Sequence, residues 1–344
     1  MANASVTRIG QANVTGDTDA LFLKVFSGEV LAAFEERNVM MPLHNVRTIT
    51  SGKSAQFPVF GKARAKYHTP GEDIIDNDAN EQIPMNERTV SIDQLLLSKV
   101  FIANIDEAMA HYDVRSIYSR ELGFALANHA DEACIRTVIA GAQAALTTPN
   151  PVGEGDTGAE GSRLDTGTTG DGVIDQIITA ARLMDEASVP ADDRFCLLTP
   201  EYYYKVVAKA GAADVAGAVM NRDFGGTGDI STGRFANVAG VTVMMSNHIP
   251  TANEDSVAAT EFESTSIAND IYAGSGVGYG GLNFTNTNGV VFQRSGLATV
   301  KLLDLALETE YSIRNQGTLM VAKYAMGHNF LRPECCYHLR TASP

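Results

Sequence analysis

The tripeptide Gly52-Lys53-Ser54 is the part of the sequence closest to a known chemical site, because nucleotide-binding P-loops end in these residue types. A P-loop has the pattern Gly-x-x-x-x-Gly-Lys-Ser/Thr, follows a buried strand and opens a helix, so that backbone amides surround the phosphates. Here Arg47 stands where the first glycine is required, and Pro58 follows too closely for a helix to begin. The sequence favours a turn between extended segments, and a P-loop nucleotide-binding enzyme centred on Gly52-Lys53-Ser54 is the alternative.

Two other motifs suggest a cofactor or a metal. The stretch from Gly276 to Gly281 satisfies G-x-G-x-x-G, but "LNFTNTNG" follows where the dinucleotide fingerprint needs a helix. His328, Cys335, Cys336 and His338 lie within eleven residues, yet adjacent cysteines on a strand point to opposite faces and do not share one tetrahedral ion easily. No serine or cysteine has a recognisable base beside it. We therefore predict no catalytic residue, no cofactor and no metal.

Composition indicates a folded, acidic protein. The 344 residues are 44% hydrophobic and 19% charged, which is an ordinary globular balance, and the net charge is −15. An acidic surface repels nucleic acid and anionic membranes over most of its area. The four cysteines show no disulfide spacing, which predicts a reducing compartment, and neither a secretory signal nor a transmembrane run is evident.

Charge is segregated in an extended stretch near the N-terminus. Between residues 37 and 71 there are six basic residues and no acid, whereas residues 72–87 contain six acids and no base. A charge-segregated segment of about 40 residues is long for a loop inside a domain. One explanation is an extended β-hairpin that leaves its own subunit and lies on neighbouring copies, and another is a solvated hairpin of the same subunit. Nucleic-acid binding by the basic half is the alternative, although no set of stacking aromatics accompanies it.

The remaining pattern predicts an α+β protein. An amphipathic helix with Phe22 and Phe26 on its apolar face is expected after residue 17, and β-structure over 89–106. Apolar residues at helical spacing predict a helix over 114–140, capped by Asp113 and stopped by Gly141, on the order of 40 Å long. A helix from about 174, a strand over 194–198, another helix and more strands follow.

Five stretches resemble a known family. They are "GDTDALFLKVFSGEVLAAF", "SGKSAQFPVFGKARAKYHTPGE", "EAMAHYDVRSIYSRELG", "GVVFQRSGLATVKLLDLALE" and "AKYAMGHNFLRPE", in that order. Together they resemble the major capsid proteins of phage T7 and related short-tailed phages over about a third of the chain. The resemblance implies the tailed-phage capsid fold of the HK97 type. It also implies a non-enzymatic protein of the virion that assembles in the host cytoplasm.

That fold divides the chain into expected parts, namely an N-terminal arm (1–46), an extension loop (47–89), a peripheral domain (90–169 and 316–344) and an axial domain (170–315). The implied function is self-assembly as hexamers and pentamers into an icosahedral shell around double-stranded DNA. The implied partners are other copies of the chain, a separate scaffolding protein, portal and tail proteins, and DNA contacted only non-specifically. The expected inter-subunit contacts are Arg47, Lys53, Lys62, Arg64, Lys66, Glu72, Asp73 and Asp76.

Overall fold

The computed structural model describes residues 38–60, 67–68, 70–71, 85–92, 95–109, 114–143, 162–210, 237–251, 284 and 286–341. Within those ranges the chain forms strands and helices in mixed order, as the α+β prediction requires. In chain order they are β1 (Asn45–Thr48), β2 (Ser54–Phe60), β3 (Met85–Ser91), β4 (Leu96–Ala103), α1 (Asn104–Met109), α2 (Val114–Gln143), β5 (Ser162–Asp165), α3 (Gly170–Glu186), β6 (Arg194–Leu198), α4 (Pro200–Ala210), β7 (Asn237–Val238), β8 (Val241–Met245), β9 (Thr287–Gln293), β10 (Leu297–Ser312), β11 (Gly317–Phe330) and β12 (Cys336–Arg340).

A four-stranded sheet of order β1-β10-β11-β4 supports one half of α2. The long strands β10 and β11 form an antiparallel hairpin, and β1 pairs in parallel with only the first part of β10. Ile102, Met320 and Tyr324 are on the sheet face that packs against the helix. Leu122 and Leu126, one helical turn apart, complete this cluster.

The long helix was predicted correctly, and it extends three residues further than expected. Its C-terminal residue is Gln143, so Gly141 lies in the last turn instead of ending the helix. A Cβ added at Gly141 would lie 3.1 Å from the sulfur of Cys336 and 3.2 Å from Cβ of Phe330. The glycine therefore allows the helix to approach the sheet closely, which the sequence pattern does not distinguish from a helix stop.

A six-stranded sheet of order β5-β12-β9-β6-β8-β7 is covered on both faces. Cys196, Val291 and Tyr337 pack towards α3 and α4. Leu197 and Phe292, which alternate with them along the strands, pack against the C-terminal half of α2. Burial of both faces explains why these strands read as almost continuous apolar runs.

Helix α3 begins at Gly170, four residues before the predicted start, and α4 follows strand β6 as the sequence predicts. Thr169 caps α3 by accepting a hydrogen bond from the N–H of Gly172 at 3.3 Å. Pro200 occupies the first turn of α4, where its missing N–H has no cost, and the C=O of Thr199 accepts the N–H of Tyr203 at 2.9 Å. Both helices lie over the same face of the six-stranded sheet.

The two sheets can be compared with the expected boundary at 315/316. That boundary falls in the turn between β10 and β11, which pair along their lengths. The C-terminal strand β12 pairs with β9 and with β5 in the six-stranded sheet. The division into a peripheral and an axial part of the assembled shell stays a prediction.

Several sequence expectations lie outside the described residues. They are the amphipathic helix after residue 17, Asp113, the glycine motif at 276–281, and the basic and acidic side chains Lys62, Arg64, Lys66, Glu72, Asp73 and Asp76. Among the helices of the described ranges, none is both long and apolar enough to cross a membrane.

Candidate assembly hairpin and the buried cluster beneath it

Strands β2 and β3 form the antiparallel root of a hairpin. Their register runs from Ser54 opposite Ser91 to Phe60 opposite Met85. The predicted extended hairpin over 47–89 is therefore confirmed at its root, where β2 and β3 form a separate two-stranded sheet that packs against β10 and β11. The residues between the strands carry most of the segregated charge.

The phosphate-binding alternative for Gly52-Lys53-Ser54 is wrong. Gly52 adopts φ of +111°, and Ser54 is the first residue of β2, so a strand follows where a P-loop requires a helix N-terminus. The C=O of Lys53 accepts the N–H of Ile92 at 2.7 Å, which closes the base of the hairpin. The glycine supplies a turn that a side chain would strain, and the lysine is exposed at the hairpin root.

An apolar cluster fixes the root to the sheet. Ala55, Val90 and Ile92 from the hairpin pack against Val300 and Ala325 of the β10–β11 pair. Val90 and Val300 are fully buried. Complete burial of one valine side chain contributes about 1.5–3 kcal/mol, so this cluster is sufficient to hold the root in place.

Close backbone approach and polar contacts orient the root. A Cβ at Gly327 would lie 2.1 Å from the carbonyl oxygen of Ser91, so only glycine fits beneath β3. Asn329 donates from Nδ2 to the C=O of Thr89 at 3.0 Å. Arg88 lies over the ring of Phe330, with its Cζ atom 5.0 Å from the ring centroid. These contacts attach β3 to the last third of β11.

The charged residues of the root interact within their own subunit. The Arg47 guanidinium lies 5.8 Å from the centroid of the Phe57 ring and donates to the C=O of Gln56 at 3.4 Å. Gln56 in turn donates to the carboxylate of Glu87 at 3.2 Å across the two strands. Phe57 of β2 is partly buried and packs against the root cluster.

A buried carboxylate that sequence reasoning missed fixes the chain that enters β1. Asp131 of α2 is fully buried and accepts the backbone N–H of Val39 at 2.7 Å and of Met40 at 3.1 Å. Its Oδ2 atom also accepts from Nδ1 of His248, 2.9 Å away in the segment after β8. The sequence contained one signal for this buried carboxylate. Asp131 directly follows Ala130, which belongs to the apolar stripe of α2. Asp131 therefore joins three separate segments of the chain.

A chain of buried hydrogen bonds continues from that point. His44 donates from Nδ1 to the C=O of Met40 at 2.8 Å, so its Nε2 accepts the hydroxyl proton of Thr299 at 2.6 Å. The Thr299 oxygen then accepts from Nδ1 of His328 at 2.8 Å. The Cys134 sulfur lies 3.4 Å from the same nitrogen. One neutral tautomer of each histidine satisfies every contact of this chain.

Burial sets the charge of these groups. Burial, together with the nearby His44 and His129, lowers the pKa of His328 to about 3. Burial likewise lowers the pKa of His44 and of His129. Burial raises the pKa of the Cys134 thiol, so the thiol is protonated and unreactive. His44, His129 and His328 are therefore neutral at pH 7, and their role is structural.

The four residues considered for zinc lie apart. Cys335 lies in the short turn before β12 and packs on the α3 side of the sheet, whereas Cys336 packs on the α2 side. His328 bonds to Thr299, and Nε2 of His338 lies 3.0 Å from the Thr287 hydroxyl. In the described part of the chain, no three His, Cys, Asp or Glu side chains are arranged to hold a metal ion.

The hairpin root, the long helix and the helix-flanked sheet together define a phage capsid subunit of the HK97-like fold. The capsid structure of cyanophage P-SCSP1u matches with a TM-score of 0.73 and 36% identity, covering 100% of this chain and 100% of that chain. The mature capsid of bacteriophage PhiM1 matches with a TM-score of 0.69 over 94% of this chain and 92% of that chain. Its 15% identity supports the fold alone.

The chain belongs to the Gp10A-like family of major capsid proteins, whose model matches residues 56–340. It is 37% identical over 330 residues to the major capsid protein of Escherichia phage T7, covering 93% of this chain and 91% of that protein. It is 34% identical over 354 residues to the major capsid protein of Enterobacteria phage T3, covering 95% and 93%. The protein is therefore a shell-forming capsid subunit located in the virion, as the resemblance implied.

Proposed function

We propose that this subunit assembles as hexamers and pentamers into an icosahedral shell around double-stranded DNA, and that it catalyses no reaction. The proposed inter-subunit contacts are made by the hairpin. They are Arg47, Lys53, Lys62, Arg64 and Lys66 on its basic half and Glu72, Asp73 and Asp76 on its acidic half. Family membership supports shell formation, and the hairpin geometry supports this route to it.

The observation that carries the proposal is a rigid root joined to a charge-segregated span. The root is fixed by buried valines and by the close approach of β3 to Gly327. The residues beyond Phe60 and before Met85 have opposite charge in their two halves. A fixed root sets the direction in which the residues between Phe60 and Met85 extend from it. Complementary charges on neighbouring subunits then set the register of the contact more than its affinity. Such contacts suit a subunit that must fit two symmetry environments.

The proposal includes partners and a route of assembly. We infer a separate scaffolding protein during assembly in the host cytoplasm, and portal and tail proteins at one vertex. A net charge of −15 suits an inner wall along which DNA packs without strong adhesion. The parts 1–46, 47–89, 90–169 with 316–344, and 170–315 are proposed as arm, extension loop, peripheral domain and axial domain of the assembled subunit.

The test is assembly of the full chain with and without a candidate scaffolding protein, followed by sedimentation and electron microscopy. Closed particles of uniform size are expected. A chain with Lys62→Glu, Arg64→Glu and Lys66→Glu should lose most of its particles. The matched control is Arg182→Glu, an exposed reversal on α3. A stable species of one or two subunits under every condition would contradict the proposal.

A further inference from the structure

The outer half of β10 is an open sheet edge. Strand β1 pairs only with Ala298 to Lys301, and the remaining pairing of β10 is with β11 on its other side. From Leu302 to Ser312, the edge that faces away from β11 has no strand beside it among the described residues. Eleven residues at about 3.3 Å each span roughly 36 Å, which is long for an unpaired edge.

The pairing register identifies the backbone groups that face outwards. The N–H of Ile49 donates to the C=O of Lys301 on the β1 side of β10. The backbone N–H and C=O groups of Lys301 and of its partner Met326 therefore point away from each other. From Met326 towards Gly317, the backbone N–H and C=O groups of every second residue of β11 then also point away from β10. The N–H and C=O groups of their partners in β10 point away from β11, and no strand of the described residues pairs with them there. These partners are Leu307, Thr309 and Tyr311.

The sequence of this edge lacks the proline and the cations that often prevent pairing, and its charged residues are the acids Asp304, Glu308 and Glu310. Residues 302–312 contain no proline, lysine or arginine. Leu307 and Tyr311 are 48% and 50% exposed. Two register shifts lie before Ala306, but pairing is regular from there to Ser312. An exposed regular edge with large apolar side chains is a template for another strand.

Charge on the edge indicates which strand it accepts. Glu308 and Glu310 are two residues apart and share one sheet face, and both are exposed. Nζ of Lys323, on the adjacent strand β11, lies 2.5 Å from the carboxylate oxygen of Glu308. Glu310 lies two residues closer to the turn between β10 and β11. The sequence places cations at the same spacing of two in Lys62, Arg64 and Lys66, which lie outside the described residues. Opposite charges on directly paired strands attract each other and fix the register.

We propose that the open edge of β10 accepts the segment containing Lys62, Arg64 and Lys66 from a second copy of the chain as an additional β-strand. Backbone hydrogen bonds to the outward groups of Leu307 and Thr309 provide the attachment. The alternating cations opposite Glu308 and Glu310 select the register. This inference rests on the proposed inter-subunit role of the hairpin and adds the surface that receives it.

Disulfide cross-linking of assembled particles tests the pairing directly. The chain carries Arg64→Cys together with Glu308→Cys, Glu310→Cys or Ser312→Cys, one pair at a time, to cover registers that differ by two residues. Neighbouring strands place Cα atoms about 4.5–5.5 Å apart, within the range of a disulfide. The native cysteines are buried and give little background. Mild oxidation should convert more than half of the monomer into a ladder of covalent oligomers for one pair on a non-reducing denaturing gel.

The control pair is Arg64→Cys with Arg182→Cys, which places the second thiol on α3 and should give no ladder. Particles without a ladder in any register would overturn edge pairing and leave the proposed function standing. A cross-link within one chain, seen as a shifted monomer band, would overturn the choice of a second copy. If the unmodified chain forms no particles, the proposed function fails, and edge pairing fails with it.

Two further variants keep the proposal testable if the cysteine chains do not assemble. Thr309→Pro removes one outward N–H without touching the bonds to β11 and should reduce particle yield severalfold, whereas Thr309→Val keeps the N–H and should not. Glu310→Lys and Arg64→Glu should each reduce the yield, and the two together should restore it. Equal yields for the proline and valine chains, or no recovery in the double variant, would contradict the pairing.

Discussion

Replacement of Asp131 by alanine removes the acceptor that holds the chain entering β1 against α2. The carboxylate accepts two backbone N–H groups, those of Val39 and Met40, at 2.7 and 3.1 Å, and the Nδ1 proton of His248 at 2.9 Å. Both the carboxylate and the imidazole are buried. Alanine leaves three donors without this partner in a region that excludes water. The subunit should therefore lose stability, and the segment 38–44 should detach before the sheets unfold.

The size of the effect follows from those three contacts. A buried donor left without its partner costs about 1–3 kcal/mol, and three donors lose their acceptor here. Because relaxation recovers part of the sum, we expect Asp131→Ala to lower the free energy of unfolding by about 3–5 kcal/mol. Asp131→Asn keeps one oxygen that accepts hydrogen bonds and should lose about half as much.

The assay is urea unfolding of the unassembled full chain by circular dichroism, paired with limited proteolysis of residues 38–44. The matched control is Glu132→Ala, the next residue of the same helix, whose half-exposed carboxylate forms an i,i+4 pair with Arg136 at 3.3 Å. That pair contributes about 0.3–0.5 kcal/mol. Losses that agree within about 1 kcal/mol for the two variants, with unchanged cleavage at 38–44, would refute the reasoning.

Three further predictions concern the hairpin root, the histidines and the turn before β2. Gly327→Ala places a methyl group against the carbonyl oxygen of Ser91 and should destabilise the subunit by about 1–3 kcal/mol in urea unfolding. The control Gly123→Ala has open space around it on α2 and should stabilise the subunit by about 0.5–1 kcal/mol. The opposite order of stability would contradict the close approach at Gly327. The pKa of His328, lowered by burial to about 3, lies below the pKa of a histidine in the unfolded chain. Neutral His328 therefore contributes fully to the free energy of unfolding above pH 6.5, and this contribution falls by about 1.4 kcal/mol per pH unit towards pH 3. If a His328→Asn chain shows the same pH dependence of unfolding, His328 is not its origin. Lys53→Ala should leave labelled ATP binding at the background level of the unmodified chain, and loss of specific binding would restore the phosphate-site hypothesis.

Local patterns in the sequence predicted the elements whose contacts are local. The apolar stripe over 114–140 defined α2, since residues at i and i+4 share a helix face wherever the helix lies. Segregated charge with Pro58 in an extended stretch predicted the β2–β3 hairpin, because the pattern fits neither a helix nor a short loop. Gly141 was misread because a glycine that permits close packing and one that ends a helix have the same local signature.

Sheet membership and the buried cluster depend on pairing over long sequence separations. Strands β10 and β12 both read as strands, but nothing in their own residues states which neighbours they pair with. Asp131 and His248 are 117 residues apart, and each alone reads as an ordinary polar residue. A buried polar contact of this kind becomes visible only once the fold brings its donors and acceptors together.

Adjacent residues of β10 attach both N-terminal extensions of the subunit. Val300 packs beneath the hairpin root on one face of the strand. Thr299, pointing to the other face, joins His44 to His328 and so supports the segment that enters β1. Side chains of neighbouring residues in a strand are rigidly opposed, so a shift of β10 at this point displaces both attachments together. The same strand then continues to the open edge at Glu310, which places the hairpin root, the arm attachment and the proposed receiving surface on one continuous element.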